Sequence, residues 1–277
     1  MNIFIFYRGK SAPSARALHA SLKKSAPKNT VIIRGTSKSK FLKSRVFDYI
    51  INVGNSEPFG FKGSPTIVNH PTQIKRSANK RLARIRFKAK GIPAPTLWAS
   101  PSDIPKKEYP VVGRTTYHMK AKGFWYCKNR AEALTAQHKG ATHFIKFIKN
   151  TREFRAHVFA TKPNPKTVDD FVIAKLSEKI SDKKNASEII KNHEAGYKFV
   201  APKKTSDGAL SAVRKLAKKT ILDFGLHYGG VDIVYSKSRK KPLVLEINST
   251  PCLTDDNSTT VDVYANKILQ LTGSIKG

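Results

Sequence analysis

Cysteine is nearly missing: the 277 residues hold two, Cys127 and Cys252. Two thiols cannot build a disulfide framework, so the chain must rest on an apolar core, and the pair reads as free thiols of a reducing compartment. Long apolar runs are missing as well. The opening MNIFIFYRGK is apolar over too few residues for a signal h-region, and its charges follow the apolar run. No stretch approaches the ~20 consecutive apolar residues of a membrane span. These lacks point to a soluble cytoplasmic protein with no membrane partner. Acids are scarce: 19 Asp+Glu stand against 52 Lys+Arg, a net charge of +33. Self-repulsion of that size is costly without an acidic partner. One reading is a solubility trait. The other is an acidic partner: nucleic acid, an acidic peptide, or a phosphorylated ligand.

What is present is a core of ordinary size. Apolar residues make up 39% of the chain, enough for two or three subdomains. NIFIFY, VIIRG, FDYIINVGN and PTIVN read as strands, and APSARALHASLKKS reads as a helix with Ala15, Leu18 and Leu22 near one face. Strands alternating with helical stretches predict a small parallel α/β domain over residues 1–70. In IKRSANKRLARIRFKAKGIPAP, residues Ile74, Ala78, Leu82, Ile85 and Ala89 recur at helical spacing, and Gly91 and Pro93 end the run. Eight Lys/Arg and no acid lie between Lys75 and Lys90. Such a basic amphipathic helix is either a solvated face or the wall of an anion site.

From Tyr109 the pattern turns β-rich. YPVVGRT, GFWYC, HFIKFIKN, REFRAHVFA and DFVIAKL are short runs of β-branched and aromatic residues, mostly antiparallel candidates. DGALSAVRKLAKKTILDFGL is a helix stopped by Gly225, GGVDIVYS and PLVLEINS form a hairpin about the charged turn KSRKK, and TTVDVYANKILQLTG is a closing helix. The hairpin carries an oddity. Leu243, Val244, Leu245 and Ile247 read as a buried strand, yet Glu246 sits among them with Asn248 two residues on. Residues two apart on a strand face the same side, so Glu246 and Asn248 project together, and the hairpin brings Asp232 beside them. Carboxylates gathered in a core need a positive partner. A hard divalent cation such as Mg²⁺ fits oxygen donors; a Lys or Arg, abundant here, is the alternative.

The segment GLHYGGVDIVY…PLVLEINSTPCL resembles the C-terminal metal-binding signature of the ATP-grasp superfamily, in particular the RimK-like carboxylate–amine ligases. Further likeness lies in SANK, YPVVGRT, FIKFIKNTREFRAHVF and FVIAKL, so the resemblance covers roughly residues 70–270. It implies a pre-ATP-grasp domain over 1–70 and an ATP-grasp domain over 71–277 with a mobile lid at about 107–150. It places Asp232, Glu246 and Asn248 at metal-ligand positions, for Mg²⁺ or Mn²⁺. It places Lys146, Phe147 and Ile148 at the hinge that holds adenine, Glu153 at the ribose, Lys80 and Arg114 at the phosphates, and Asn192 on the acceptor side. Arg155 and Lys175 take positions against the transferring phosphoryl group. This chain departs from the family pattern with Asn79 for Asp, Arg114 for Lys, Lys146 for an acid, Cys252 for Gly, and one glycine, Gly123, where the mobile loop has several. The implied activity is ATP-dependent joining of a carboxylate to an amine through an acylphosphate. The implied partners are a carboxylate substrate and an amine acceptor. Eight Lys/Arg against Glu132 alone between His118 and Arg152 favour an acidic peptide or amino acid. A non-catalytic nucleotide-binding scaffold and a basic nucleic-acid-binding protein are the rival readings, although no nucleic-acid-binding motif is present.

Overall fold

The computed structural model describes residues 1–9, 12–116, 123–149, 151–181, 189, 191, 196–203, 208–236, 238, 240–251, 253 and 259–276. The first four strands, β1 (Asn2–Tyr7), β2 (Val31–Gly35), β3 (Tyr49–Val53) and β4 (Thr66–Val68), form a parallel sheet in the order β2-β1-β3-β4. The run NIFIFY is continuously apolar because both faces of its strand are buried. Ile3 and Ile5 enter the main core, which also holds Ala15, Leu18 and Leu22 of α1 (Ala12–Ser25). Phe4 and Phe6 point the other way, into a smaller cluster with Phe47, Ile50 and Leu42, the last on α2 (Phe41–Ser44).

The long basic helix expected after β4 is two helices, α3 (Pro71–Ala78) and α4 (Lys80–Ala89). Asn79 leaves the helical region at φ −81°, ψ 104°, and its side chain caps α4 by accepting the Leu82 N–H at 2.9 Å. The break resets the buried face. Ile74, Ser77, Ala83 and Phe87 are buried, whereas Leu82 and Ile85, expected inside, are 51% and 47% exposed.

A second sheet is antiparallel and small: β5 (Leu97–Trp98), β6 (Val111–Arg114), β7 (Phe124–Cys127) and β8 (His143–Lys146), in the order β5-β8-β6-β7. It packs with α5 (Arg130–His138) through Val111, Cys127, Ala133, Ala136 and Phe144. Trp98 and Trp125 border this core, and Cys127 lies in it.

The third sheet is antiparallel and largest: β9 (Thr151–Ala160), β10 (Phe171–Ser181), β11 (Tyr197–Val200), β12 (Tyr228–Ser236) and β13 (Lys241–Asn248), in the order β11-β10-β9-β12-β13. Phe154, Ala156 and Val158 of β9 belong to the main core with Val213, Ala217 and Ile221 of α6 (Ala209–Phe224). The opposite face is covered at one end by α7 (Thr259–Leu271), whose Tyr264 meets Phe159 edge to face and donates to or accepts from His157 Nδ1 at 2.9 Å. Asn69, at the end of β4, fastens the parallel sheet to this one. Buried and at φ 62°, its side chain accepts the His227 N–H (2.8 Å) and donates to the Tyr228 carbonyl (3.0 Å). Among the described residues no helix is long and apolar enough to cross a membrane.

Candidate active site

Two bulges sort the side chains of the largest sheet. Asp232 pairs with Glu246 while its neighbour Ile233 pairs with Val244, so Leu245 is an extra residue. Were Leu245 an ordinary paired residue of the strand, Val244, Glu246 and Asn248 would share a face. Because it is a bulge, Val244 and Ile247 turn to the core and are buried, while Glu246 and Asn248 turn outward. PLVLEINS is therefore not a strand buried along its length: the carboxylate faces away from the core. A second bulge, at Ala174 between the pairs Ile173↔Val158 and Lys175↔His157, sets Lys175 beside His157.

The cross-strand register then assembles one polar surface. Lys179, Ser177 and Lys175 of β10 oppose Glu153, Arg155 and His157 of β9. Arg155 and His157 oppose Asp232 and Gly230 of β12, which oppose Glu246 and Asn248 of β13. Of the residues singled out from the sequence, Glu153, Arg155, Lys175, Asp232, Glu246 and Asn248 thus lie on one face. Lys80 joins them from the first turn of α4, its Nζ 2.5 Å from Glu246 Oε1. Arg114 reaches the same corner from β6, over the ring of Phe124, and shares a cavity wall with Glu246.

All three carboxylates of this face have cationic partners. Arg155 grips Asp232 with two parallel hydrogen bonds, Nε to Oδ1 at 2.7 Å and Nη2 to Oδ2 at 2.8 Å. Burial alone would raise the Asp232 carboxyl, but the charge and hydrogen bonds of Arg155 carry it below its ordinary value. Glu153 is paired with Lys179, and Lys175 donates to Thr260 Oγ1 at 2.6 Å. Phe199 of β11 lies over both Arg155, at 4.6 Å, and Lys179, at 5.4 Å. Burial, with the charges of Arg155 and Lys175, pushes His157 down to about 4. Its imidazole is neutral at pH 7.

At the hinge, β8 ends at Lys146, whose Nζ donates to the Glu108 carbonyl at 2.6 Å and lies 3.4 Å from its carboxylate. The backbone amides of Lys146 and Phe147 are committed to the carbonyls of Thr96 and Pro110. Asn192 and most of the glycine-poor loop, 117–122, lie outside the described residues.

Three contributors escaped the sequence reading. Lys179 and Phe199 sit at alternating positions of β10 and β11, so period-2 counting from Lys175 would have found Lys179. Arg84, one turn after Lys80, is the third, and nothing in a run of basic residues separates it from its neighbours. Asp232 and Glu246 give hard oxygen donors with Asn248 on the same face, a set suited to Mg²⁺. No group of three His, Cys, Asp or Glu forms a metal cluster among the described residues.

Solved structures similar along nearly the whole chain share one fold. D-alanyl-alanine synthetase A from Vibrio cholerae matches with a TM-score of 0.68 at 13% identity, over 99% of this chain and 97% of that one. The D-alanine–D-alanine ligase from Bacillus anthracis complexed with ATP matches with a TM-score of 0.65 at 12% identity, over 98% and 97%. The chain has the ATP-grasp fold. A further ATP-grasp relative in shape, N5-carboxyaminoimidazole ribonucleotide synthetase from Thermotoga maritima, matches with a TM-score of 0.66 at 15% identity, over 98% and 76%. No protein-family model and no curated protein matches the sequence. At these identities the likeness fixes the ATP-grasp fold, while the RimK-like type remains an expectation of the hairpin motif.

Proposed function

We propose that this chain is an ATP-dependent carboxylate–amine ligase of RimK-like type, acting on an acidic peptide or amino acid. The observation that carries the reading is the polar face of the largest sheet, where three carboxylates and an amide stand among Lys80, Arg114, Arg155 and Lys175. The reaction has two displacements. A substrate carboxylate oxygen attacks the γ-phosphorus of ATP and ADP leaves; the amine then attacks the acyl carbon and phosphate leaves. Neither step needs a side-chain nucleophile, because positioning and charge neutralisation carry phosphoryl transfer. Arg155 and Lys175 stabilise the transferring phosphoryl oxygens, and Lys80 and Arg114 hold the phosphate chain. Glu153 accepts from the ribose. With the Lys146 and Phe147 amides committed, base reading at the hinge falls to the carbonyls there and to the Ile148 amide. Asp232, Glu246 and Asn248 would hold Mg²⁺, which supplies charge screening and orientation of the phosphates when bound. Residues 107–150 would act as the lid, and Asn192 would lie on the acceptor side.

A second reading has one observation in its favour. Asp232 and Glu246 are already neutralised by Arg155 and Lys80, as they would be in a scaffold that binds nucleotide and leaves it intact. ADP release from Mg²⁺-ATP with pooled amino acids and acidic peptides separates the two. Acceptor-dependent release that is lost in Glu246→Gln supports the ligase. ATP binding without release in either protein refutes it in favour of the scaffold.

A further inference from the structure

The break at Asn79 leaves the second half of the basic run with an apolar seam on the side away from the core. At 3.6 residues per turn, Leu82, Ile85 and Ala89 fall within about 60° of one another around α4, while Ala83 and Phe87 face inward and are buried. All three seam residues are exposed, and Leu82 is the most exposed large apolar residue among those described. A β-branched Ile in water improves neither the helix propensity nor the burial of this chain. The three-four spacing is that of successive a, d and a positions of a heptad, the seam by which one helix packs on another. In that frame Arg81 and Lys88 hold successive g positions, about 10 Å apart along the axis, and Arg86 holds the e position on the other flank. Arg81 and Lys88 are exposed and meet no carboxylate among the described residues. Arg86 turns to the end of α6, where its Nε and Nη2 donate to the Asp223 carbonyl at 3.2 and 2.7 Å. The Asp223 carboxylate is held by Lys219 at 2.6 Å and does not answer the open flank.

We infer that the outer face of α4 is the docking surface for one amphipathic helix of a partner protein, apolar along its seam and flanked by Asp or Glu. Leu82, Ile85 and Ala89 take the seam, and Arg81 and Lys88 take the acids. Charges beside such a seam decide which partner is accepted. A second copy of this chain is rejected, because it would set cation against cation. A nucleic acid would pair its phosphates with Arg81 and Lys88 but leave Leu82 and Ile85 in water. A lipid surface gains too little: two half-exposed aliphatic side chains offer less than one acyl chain, which itself holds a protein to a membrane only marginally. Lys80 projects from the opposite side of α4, so the surface stands apart from the polar face and does not rest on the ligase reading.

The test uses a fluorescein-labelled three-heptad peptide with Leu at a and d and Glu at e and g. Its binding to the full chain is followed by anisotropy at about 0.15 M salt. A peptide with Ser in place of Leu is the charge-only control, and one with Lys in place of Glu is the repelled control. Saturable one-to-one binding of the first peptide alone is expected. Leu82→Ser and Ile85→Ser should each weaken it about tenfold. Arg81→Glu combined with Lys88→Glu should abolish it and admit the Lys peptide instead, a swap that no general loss of fold would produce. All four positions are exposed, so the melting temperatures should stay within about 2 °C of the wild type. Equal binding of the Leu and Ser peptides, or unchanged binding by the Leu82→Ser, Ile85→Ser double variant, assigns the contact to undirected charge and overturns the inference. Absence of saturable binding overturns it too, as does retention by phosphatidylserine vesicles or duplex DNA, or self-association of the chain, that depends on Leu82 and Ile85. None of these outcomes bears on acceptor-dependent ADP release, which is judged separately.

Discussion

Asp232→Asn is the sharpest probe of how the polar face is held together. The substitution keeps the volume and one acceptor oxygen but removes the charge that two Arg155 hydrogen bonds hold at 2.7 and 2.8 Å. Breaking a buried pair by removing one partner costs about 3–5 kcal/mol. Here the side chains of Arg155 and Asp232 retain 26% and 12% exposure, and water at the guanidinium reduces the loss to about 2–3 kcal/mol. At 2–4 °C per kcal/mol, the melting temperature should fall by roughly 4–12 °C. Arg155→Met should cost a similar amount, because it strands a carboxylate that burial disfavours. The double variant strands neither charge, so its loss should be smaller than the sum by about 1–3 kcal/mol. Urea unfolding followed by circular dichroism gives all four corners of the cycle without requiring any activity. Additivity of the two losses to within about 0.5 kcal/mol would refute the pairing.

The remaining expectations are independent of that cycle. His157 has a folded value of about 4, below its ordinary 6.5, so the unfolded chain takes up the proton first as pH falls. Its contribution is complete above pH 6.5 and is lost between 6.5 and 4, up to about 3 kcal/mol. His157→Gln should flatten that part of the urea-midpoint profile, and His19 and His227, also lowered by burial, should leave a residual slope of the same sign; an unchanged profile would contradict the assignment. Gly229→Ala would bring a Cβ to 3.0 Å from the Asn248 carbonyl and 2.9 Å from Ile221 Cδ1. It should cost about 1–3 kcal/mol, whereas a wild-type urea midpoint would mean that β12 and β13 separate freely there. Asn69→Ala removes the fastening between two sheets and places Cβ strain at φ 62°. Its loss of about 3 kcal/mol should exceed that of Asn69→Gly by about 1 kcal/mol, and equal losses would show that the left-handed backbone costs nothing.

The order of strands and helices was legible because burial leaves periods behind. NIFIFY reads as continuous apolar residues since two cores flank it, and the α6 stripe of Val213, Leu216 and Ile221 reads at helical spacing since one core does. The hairpin was equally plain, and with it the pairing of Asp232 with Glu246. The bulges were not, because an inserted Leu245 or Ala174 has no composition of its own and shows itself only as a changed partner across the ladder. The split at Asn79 was hidden: the stripe from Ile74 to Ala89 argues for continuity, and one capping hydrogen bond overrules it. Charge partners were beyond reach. Lys80 meets Glu246, Arg84 meets the Leu245 carbonyl, and Lys146 meets Glu108 through tertiary geometry, and among 52 basic residues no local pattern distinguishes these.

The single inserted residue at Leu245 serves Arg84 more than it serves the parity of β13. Replacing Leu245 by another side chain leaves the parity of the strand intact. Deleting it would leave an unbroken alternation, with Val244 next to Glu246, Val244 and Ile247 still turned inward, and Glu246 and Asn248 still turned outward against Asp232 and Gly230. It would withdraw the carbonyl on which Arg84 rests. The polar face therefore outlasts the loss of the bulge, whereas the hydrogen bond that anchors Arg84 to β13 depends on that one inserted residue.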